Sequence, residues 1–383
     1  MTSLEDQLVG QVRNIYKSND PIHLHEPYFD ELEKLEVEDA IASTFVSTSG
    51  TKIGIFEREL SSFLSVEQAV ATNSGTSALH LALLSVGLKT NDIALTQPFT
   101  FVATCNAISY TGATPVFIDV SRETLGMCPV ALDTWLQENA LIDADGNCRE
   151  KTTNKIIRCC VPVHVFGHPV NLHAIREVLS NKNISLVEDA AEGLGSKIGE
   201  QFLGTFGDAS ALSFNGNKLI TTGAGGCVLG NANSLNTARH LCNVARTETA
   251  DGLFHDTIGF NYRMPNINAA LGLAQIKKID SLLRKKRSVA FCYKNFFKNT
   301  PVQFVEEPPN STSNYWLNSV ICETERQRDK ILIYLEKNNI HARRAWRLMT
   351  DLPPFKDNIK GQIPNSEFLS RHLLCLPSGV PRD

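Results

Sequence analysis

The sequence has no long apolar run, little net charge and no clustered cysteines. No stretch of about 18 apolar residues occurs, so no segment is predicted to span a membrane. Residues 1–17 contain neither an uninterrupted apolar core nor a small-residue cleavage site, so no secretory signal is predicted there. The formal net charge of −4 indicates neither nucleic acid nor another strongly charged partner. The apolar fraction of 42% and the charged fraction of 20% are those of an ordinary soluble globular protein.

The ten cysteines lack the spacing of a metal site. No CxxC pair occurs, and only Cys159 and Cys160 are adjacent, so neither zinc nor an iron–sulfur cluster is predicted. We interpret the cysteines as free thiols in a reducing cytoplasm and expect no metal.

Apolar residues make up 42% of the 383 positions, enough for an ample core in a large domain and a smaller one. Helical spacing near the N-terminus predicts an amphipathic helix with four apolar positions: Leu4, Leu8, Val12 and Ile15. From residue 65 to 230, short apolar runs alternate with helical patterns. This alternation predicts an α/β fold with a mostly parallel sheet sandwiched by helices.

The strands predicted in this region are residues 68–72, 93–96, 115–119, 155–165, 184–188, 209–214 and 227–229, with helices at 76–86 and 101–111. Ligands of such sheets bind outside the carboxyl ends of the strands. We therefore expect the functional residues to follow the predicted strands.

The pattern changes after residue 265. Residues 266–287 predict one long helix, apolar first and then basic, and we interpret its basic run as a solvated face. Residues 314–322 and 326–337 predict a strand and a helix of a smaller α+β domain. We therefore predict a large domain with an N-terminal arm over residues 1–265. A linking helix and a small C-terminal domain follow over 266–383.

One lysine stands between a predicted strand and a glycine-rich turn. Lys218 ends the segment SFNGNK, and the turn TTGAGG follows it. An amine held in a pocket there could form a Schiff base with an aldehyde cofactor if its surroundings lowered its pKa. Taken alone, such a lysine is more often a surface residue.

Other polar residues follow neighbouring strands. In NSGTS (73–77), free backbone N–H groups at a helix start, with Thr76 and Ser77 hydroxyls, favour a phosphate, and Gly75 permits close approach of the backbone. A plain Ser/Thr cap is the alternative. Asp189 ends an apolar strand, where it would suit a protonated pyridine nitrogen or cap the next helix. Phe101, in QPFTF, would stack on a flat ring or pack in the core.

Lysine, phosphate site, strand-end aspartate and stacking aromatic occur together in one chain. The combination predicts pyridoxal 5′-phosphate (PLP) as the cofactor, bound covalently to Lys218. A further polar cluster, NYRM with Asn261 at its start, precedes the predicted long helix.

These segments resemble the DegT/DnrJ/EryC1/StrS family of sugar aminotransferases over nearly the whole chain, residues 21–377. The matching stretches are NSGTSALHLAL, QPFTFVATCNAISYTGATPVFIDV, VEDAAEGLGS, SFNGNKLITTGAGG and GFNYRMPNINAALG. The resemblance implies a type I aminotransferase fold, PLP, and a homodimer whose active sites are shared across the interface. One departure is Ala224, where many relatives carry glutamate.

The resemblance also implies roles for single residues. Lys218 matches the Schiff-base lysine, and Asp189 matches the partner of the pyridine nitrogen. Glu192 matches a polar residue close to the ring, and Asn261 an asparagine that reaches the phosphate from the second subunit. The remaining cofactor contacts that it implies are Thr76, Ser77, Ser213 and the stacking Phe101.

Two further segments bear on the substrate. Residues 22–27, with 43–47, resemble the branch that aminates C4 of UDP-linked 2-acetamido-4-keto-trideoxyhexoses, which implies substrate contacts at His25 and Glu26. An ordinary turn is the alternative. In HARRAW (341–346), Arg343 or Arg344 would pair with a diphosphate and Trp346 would pack on sugar or base. A surface strand with scattered basic residues is the alternative.

The expected activity is a ping-pong transfer from L-glutamate to the C4 ketone of a UDP-linked 2-acetamido-4-keto-6-deoxyhexose, for bacterial surface glycan synthesis. Lys218 would act as base and acid for the proton shift. The alternative substrate is a GDP- or dTDP-linked 4-keto, or 3-keto, 6-deoxyhexose.

Two other functions are compatible with the scaffold but less favoured by the residues. Relatives that dehydrate sugars typically carry histidine at the lysine position, and some add a cysteine-bound iron–sulfur cluster, whereas this chain has Lys218 and scattered cysteines. A non-catalytic regulator would not need the lysine and often adds a DNA-binding module, for which no segment is expected before Glu26 or after Leu376.

Overall fold

A computed structural model of the protein describes residues 3–249 and 252–382. Over these residues the chain forms twelve α-helices: α1 (Leu4–Tyr16), α2 (Glu31–Ala42), α3 (Thr51–Leu64), α4 (Gly75–Ser85), α5 (Val102–Tyr110), α6 (Pro129–Asn139), α7 (Leu172–Leu179), α8 (Ala232–Cys242), α9 (Asn266–Lys277), α10 (Ile279–Phe297), α11 (Glu325–Lys337) and α12 (Pro364–His372). None of the helices in this part of the chain is both long and apolar enough to cross a membrane.

The strands are short. In chain order they are β1 (Val70–Thr72), β2 (Ile93–Thr96), β3 (Thr114–Phe117), β4 (Ala140–Ile142), β5 (Cys148–Glu150), β6 (Ile157–Val161), β7 (Ser185–Asp189), β8 (Lys197–Ile198), β9 (Gln201–Phe202), β10 (Ala209–Ser213), β11 (Gly226–Gly230), β12 (Arg246–Thr249), β13 (Gly252–His255), β14 (Gln303–Phe304), β15 (Ser311–Thr312), β16 (Asn318–Ile321), β17 (Arg343–Arg344) and β18 (Leu373–Leu376).

Seven strands form the central sheet, in the order β1-β11-β10-β7-β6-β2-β3. Only β11 runs antiparallel to its neighbours β1 and β10, and the other four pairings are parallel. Helices cover both faces, so nearly every residue of these strands is buried, as is usual for parallel sheets. The predicted α/β class, mostly parallel and sandwiched by helices, is confirmed.

The carboxyl ends of the parallel strands meet at one edge of this sheet. Asp189 is the last residue of β7 and is paired with Ala211 of β10, whose own last residue is Ser213. The N-terminus of α4 follows β1 at the same edge. This register places three predicted site segments side by side, although more than 130 residues separate Gly75 from Ser213 in the sequence.

A second, antiparallel sheet has the order β14-β16-β18-β17. It packs against α1, α10 and α11 through a core that includes Leu8, Val12 and Tyr293. The N-terminal helix predicted from apolar spacing is confirmed, and its buried residues lie in this core. The division of the chain at residues 265 and 266 into two domains stays a prediction.

The predicted single helix over residues 266–287 is wrong in its continuity. α9 ends at Lys277, Lys278 separates the two helices, and α10 runs from Ile279 to Phe297. The ammonium of Lys278 forms ion pairs with Asp30, the N-cap of α2, and with Glu33. The break between the two helices therefore lies where the start of α2 forms ion pairs with Lys278.

The predicted solvated face of this basic run is also wrong for Lys286. Its side chain is fully buried, and its ammonium donates to the carbonyls of Trp316 at 2.7 Å and Ser378 at 2.6 Å. Arg287 forms an ion pair with Glu307. Lys286 thus joins α10 to two segments of the second sheet, which helical spacing alone does not reveal.

Burial holds the pKa of Lys286 well below its ordinary value of 10.5. Between that lowered pKa and 10.5, the unfolded chain binds a proton that the folded chain does not, so this lysine makes stability rise with pH. We expect Lys286→Met to remove a pH dependence of up to about 1.4 kcal/mol per pH unit in this window. Urea unfolding between pH 6 and 10 measures it, with exposed Lys298→Met as control. Parallel pH curves for wild type and Lys286→Met would contradict the assignment.

Candidate active site

A cavity of about 320 Å³ opens at the carboxyl edge of the central sheet. Its lining brings together most residues that the sequence predicts for the cofactor: Gly75, Thr76, Phe101, Asp189, Glu192, Ser213 and Lys218. It also includes two predicted substrate residues, Arg343 and Trp346. Residues from both sheets therefore share one cavity.

The amine of Lys218 is held from two sides. Its Nζ lies 3.2 Å from Oε1 of Glu192 and 3.8 Å from the ring centre of Trp316. The Trp316 indole N–H donates to the carbonyl of Asn217 at 2.7 Å, so the same side chain also fixes the loop that carries the lysine. Only 13% of the Lys218 side chain is exposed. Lys218 is thus a held amine in a cavity and not a surface lysine.

Asp189 is a buried carboxylate without a cationic partner among the described residues. Its Oδ2 accepts from the Thr104 hydroxyl at 2.7 Å, and its Oδ1 accepts from the backbone N–H of Ala191 at 3.2 Å. Burial raises the pKa of Asp189, and the hydrogen bond from Thr104 opposes that rise. Because a buried carboxylate is costly unless it is paired, the arrangement favours a cationic ligand at this position.

The start of α4 contributes Gly75 and Thr76 to the lining of the same cavity. Ser74 is the N-cap and accepts from the backbone N–H of Ser77 at 3.1 Å, and the two hydroxyls lie 2.9 Å apart. Ser77 is therefore engaged in the cap and does not line the cavity, whereas Gly75 and Thr76 do. A Cβ at Gly75 would lie 2.7 Å from Cβ of Ser213, so only glycine lets the strand end approach the helix start so closely.

These residues fit PLP. The unpaired Asp189 suits a protonated ring nitrogen, the held amine of Lys218 suits an aldehyde, and the α4 N-terminus with Ser213 suits a phosphate. Phe101 lines the cavity with 54% of its surface exposed, which leaves it free to contact a ring. The individual roles of these residues stay predictions.

The two adjacent arginines differ in their surroundings. Arg343 lines the cavity, and its Nε and Nη2 are buried without a hydrogen-bond partner in the described chain. Arg344 is half-exposed, and its Nε lies 2.8 Å from Asp329. Trp346 packs on Phe166, with ring centres 4.8 Å apart, and forms part of an aromatic wall. Arg343 is therefore the one of the two that can meet an anion in this cavity.

Besides Ser77 and Arg344, three further predicted residues do not line the cavity. Asn261 is exposed, and its carbonyl accepts from the Asn73 side chain at 3.2 Å. Glu26 is exposed and pairs with His23. Both ring nitrogens of His25 are buried without a partner, and burial, followed by the charges of Lys286 and Lys218, holds its pKa well below the ordinary value. Their predicted contacts stay untested predictions.

Sequence reasoning missed Thr104 and Trp316. Thr104 lies three residues after Phe101, the N-cap of α5, so helical spacing from Phe101 could have identified it as a second residue on the cavity side. Trp316 contacts the loop of Asn217, although the two residues are 99 positions apart in the sequence, and no local sequence pattern predicts that contact. Only the packing of the two sheets brings the indole to the lysine.

Thr104→Val should weaken PLP binding because it removes a donor to the Asp189 carboxylate. A hydrogen bond to a charged group contributes about 1.5–3 kcal/mol, so we expect an affinity loss of about 10- to 100-fold at neutral pH. The loss should grow as pH falls, because the pKa of Asp189 rises further and its carboxylate is protonated sooner. Equilibrium titration of apo-protein with PLP measures this. Thr111→Val, which removes a buried hydroxyl just beyond α5, is the control, and equal losses in both variants would contradict the role of Thr104.

Known proteins resemble this chain along almost its whole length. The model of the DegT/DnrJ/EryC1/StrS aminotransferase family matches residues 27–381. The GDP-perosamine synthase of Escherichia coli O157:H7 is 34% identical over 357 residues, which cover 93% of each chain. That of Vibrio cholerae is 32% identical, covering 93% of this chain and 94% of its own.

The fold is shared as well. The crystal structure of the aminotransferase TlmJ from Streptoalloteichus hindustanus superposes with a TM-score of 0.84 at 23% identity, covering 94% of this chain and 93% of its own. That likeness concerns the fold, and the family follows from the sequence match. The chain therefore belongs to the DegT/DnrJ/EryC1/StrS aminotransferase family of PLP-dependent nucleotide-sugar aminotransferases.

Proposed function

We propose that this protein moves an amino group from L-glutamate to the C4 ketone of a GDP-linked 4-keto-6-deoxyhexose. The observation that carries the catalytic part is the Lys218 amine, held by Glu192 and Trp316 in the cavity that also contains the unpaired Asp189. The similarity to two GDP-perosamine synthases, at 34% and 32% identity, supports the GDP-linked sugar. The amino donor rests on the resemblance to the family.

The bound cofactor supplies an electron sink for the carbon that loses its proton. The chain supplies the rest. Asp189 orients the ring and balances its charge, and the α4 N-terminus with Ser213 anchors the phosphate. Lys218, once its amine is free, takes a proton from the substrate carbon and returns it two atoms away, which completes a 1,3-proton shift. Trp316 keeps that amine directed into the cavity, because it contacts both Nζ and the loop before the lysine.

Buried aromatic rings lie behind Trp346, which lines the cavity, and keep water from that side. Phe99 and Phe166 are fully buried, and the rings of both pack against Trp346. Trp316 extends the same wall, with its ring centre 6.3 Å from that of Phe166. A dry wall strengthens the electrostatic contacts of Lys218 and Asp189. It also provides a flat surface for a sugar or a base.

The UDP-linked 2-acetamido-4-keto-6-deoxyhexose is the second candidate substrate. Residues 22–27 and 43–47 support it by their resemblance to that branch of the family. His25 lies next to Trp316, with ring centres 6.4 Å apart, so the segment that carries this resemblance is close to the site. The relatives with named nucleotide sugars support GDP more directly.

We further propose a cytoplasmic homodimer with shared active sites. Several large apolar side chains are exposed in the chain as described, among them Phe45, Phe101, Phe254 and Ile258, the last at 85%. Exposed apolar residues of this kind support a protein–protein contact. Asn261 is also exposed, as its predicted role at the partner's phosphate requires.

A panel of nucleotide ketosugars tests the proposed activity. Purified protein with PLP should show the absorbance of a lysine-bound cofactor and should transfer nitrogen from L-glutamate fastest to the GDP-linked 4-ketosugar. Lys218→Ala should lose the band and at least about 10⁴ of the rate, since nucleophile and base are removed together. Lys197→Ala, which changes a lysine outside the cavity, is the control. Product mass and glutamate consumption give the readout.

The outcomes of this panel are distinct. Preference for the UDP-linked acetamido sugar would favour the second candidate. A protein that neither binds PLP nor consumes glutamate with any ketosugar would refute the proposed activity.

Arg343 and Arg344 form a matched pair for testing the anion site. Arg343→Met should raise the KM for the nucleotide sugar by about 10- to 100-fold, because a charge-assisted hydrogen bond to a phosphate is lost. Arg344→Met should change KM less than about threefold, since the Arg344 side chain is half-exposed and already pairs with Asp329. Steady-state kinetics with the preferred sugar measure both variants. Equal effects in the two would contradict the assignment of Arg343.

A further inference from the structure

The Glu192 carboxylate contacts both the amine of Lys218 and the backbone of Phe166, although 26 residues of sequence separate it from each. Its Oε1 lies 3.2 Å from the Lys218 amine, and its Oε2 accepts from the backbone N–H of Phe166 at 2.8 Å. Only 5% of its side chain is exposed. Both oxygens are therefore engaged, one by a backbone donor and one by the amine.

The backbone contact holds Glu192 in place. Phe166 has φ +56°, in the left-handed region that bulky residues rarely adopt. Its N–H is directed at Oε2 of Glu192, while its ring packs against Trp346 and Trp316. The carboxylate is thus anchored at one oxygen and leaves the other directed at Nζ of Lys218.

The charged groups around Glu192 are few. Lys218 is in direct contact, Asp189 and Arg343 line the same cavity, and Cys375 lies close enough to be influenced by the charge on Glu192. Burial raises the pKa of Glu192, and the charge of Lys218 opposes that rise. Burial likewise raises the pKa of Cys375 to about 12, so this thiol holds its proton. Within the described residues, Glu192 is the one acid that forms an ion pair with the Lys218 amine.

We propose that Glu192 exchanges a proton directly with Lys218, in addition to anchoring the Phe166 turn. In this step an Nζ–H bond breaks and its electron pair stays on nitrogen, while an O–H bond forms at Oε1. The reverse step restores the ammonium. Lys218 thereby becomes a neutral amine, able to attack a carbonyl or accept a substrate proton, without first releasing its proton to water. The proposal rests on the proposed function, in which Lys218 has both tasks.

The exchange has a kinetic signature before any sugar is added. An ion pair that shares one proton contains a fraction of neutral amine that does not change with pH until one member of the pair titrates to solvent. With glutamine at position 192, the amine must instead lose its proton to water. The supply of neutral amine then falls by up to about tenfold for each unit by which the pH is lowered.

The experiment measures the rate at which apo-protein attaches PLP, by stopped-flow absorbance between pH 6 and 8. Wild type, Glu192→Gln and Glu192→Asp are compared. Glutamine keeps a carbonyl oxygen for the Phe166 N–H, so a purely anchoring role is preserved. The ratio of the wild-type rate to the Glu192→Gln rate cancels the titration of PLP itself.

We expect this ratio to rise by about 100-fold from pH 8 to pH 6, at roughly tenfold per unit. Glu192→Asp, which retains a carboxylate, should show the pH profile of wild type at a lower rate. A ratio that stays constant with pH would overturn the proposal and leave Glu192 as an anchor only.

Failure of the inference differs from failure of the proposed function. A wild-type protein that loads PLP and transfers nitrogen, but shows a constant ratio, contradicts only the role of Glu192. A wild-type protein that does not attach PLP at Lys218 contradicts both.

Discussion

The site is organised by the cost of burying charge. Asp189 and Glu192 are buried carboxylates at the carboxyl edge of one sheet, and each must be stabilised by hydrogen bonds or by a cation. Glu192 receives the Phe166 N–H and the Lys218 amine, whereas Asp189 receives only neutral donors. This asymmetry divides the tasks: one carboxylate serves the lysine, and the other stays available for a ligand cation.

Segments that are far apart in the sequence also meet around Lys218, where they surround a buried charge. Trp316, from the turn that enters β16, packs on the amine and holds the Asn217 carbonyl. Lys286 of α10, itself fully buried, binds the backbone carbonyl of Trp316 and thereby fixes the residue that carries the indole. Through Trp316, Lys286 thus helps to position the amine of Lys218.

Much of this architecture follows from local patterns. The strand ending at Asp189 and the helix beginning at Gly75 were predicted within a few residues, because apolar runs and helix-start residues are local signals. The break at Lys278 was not predictable, since it coincides with ion pairs to Asp30 and Glu33 from another part of the chain. Nor did the spacing of basic residues reveal that Lys286 is buried, because a sequence pattern cannot show what packs on a helix from outside.

The sequence by itself determined the family and the cofactor, and it predicted which amine is reactive. Lys218, Asp189 and the glycine at position 75 are chemical requirements, and each stands in a segment that local signals locate. The tertiary structure decided which neighbours those residues have. Arg343 lines the cavity, whereas Arg344 pairs with Asp329 outside it. Ser77 is engaged in a helix cap. Glu192 and Trp316 contact the amine of Lys218. These choices depend on how two sheets pack across long sequence separations, and no local pattern encodes that packing.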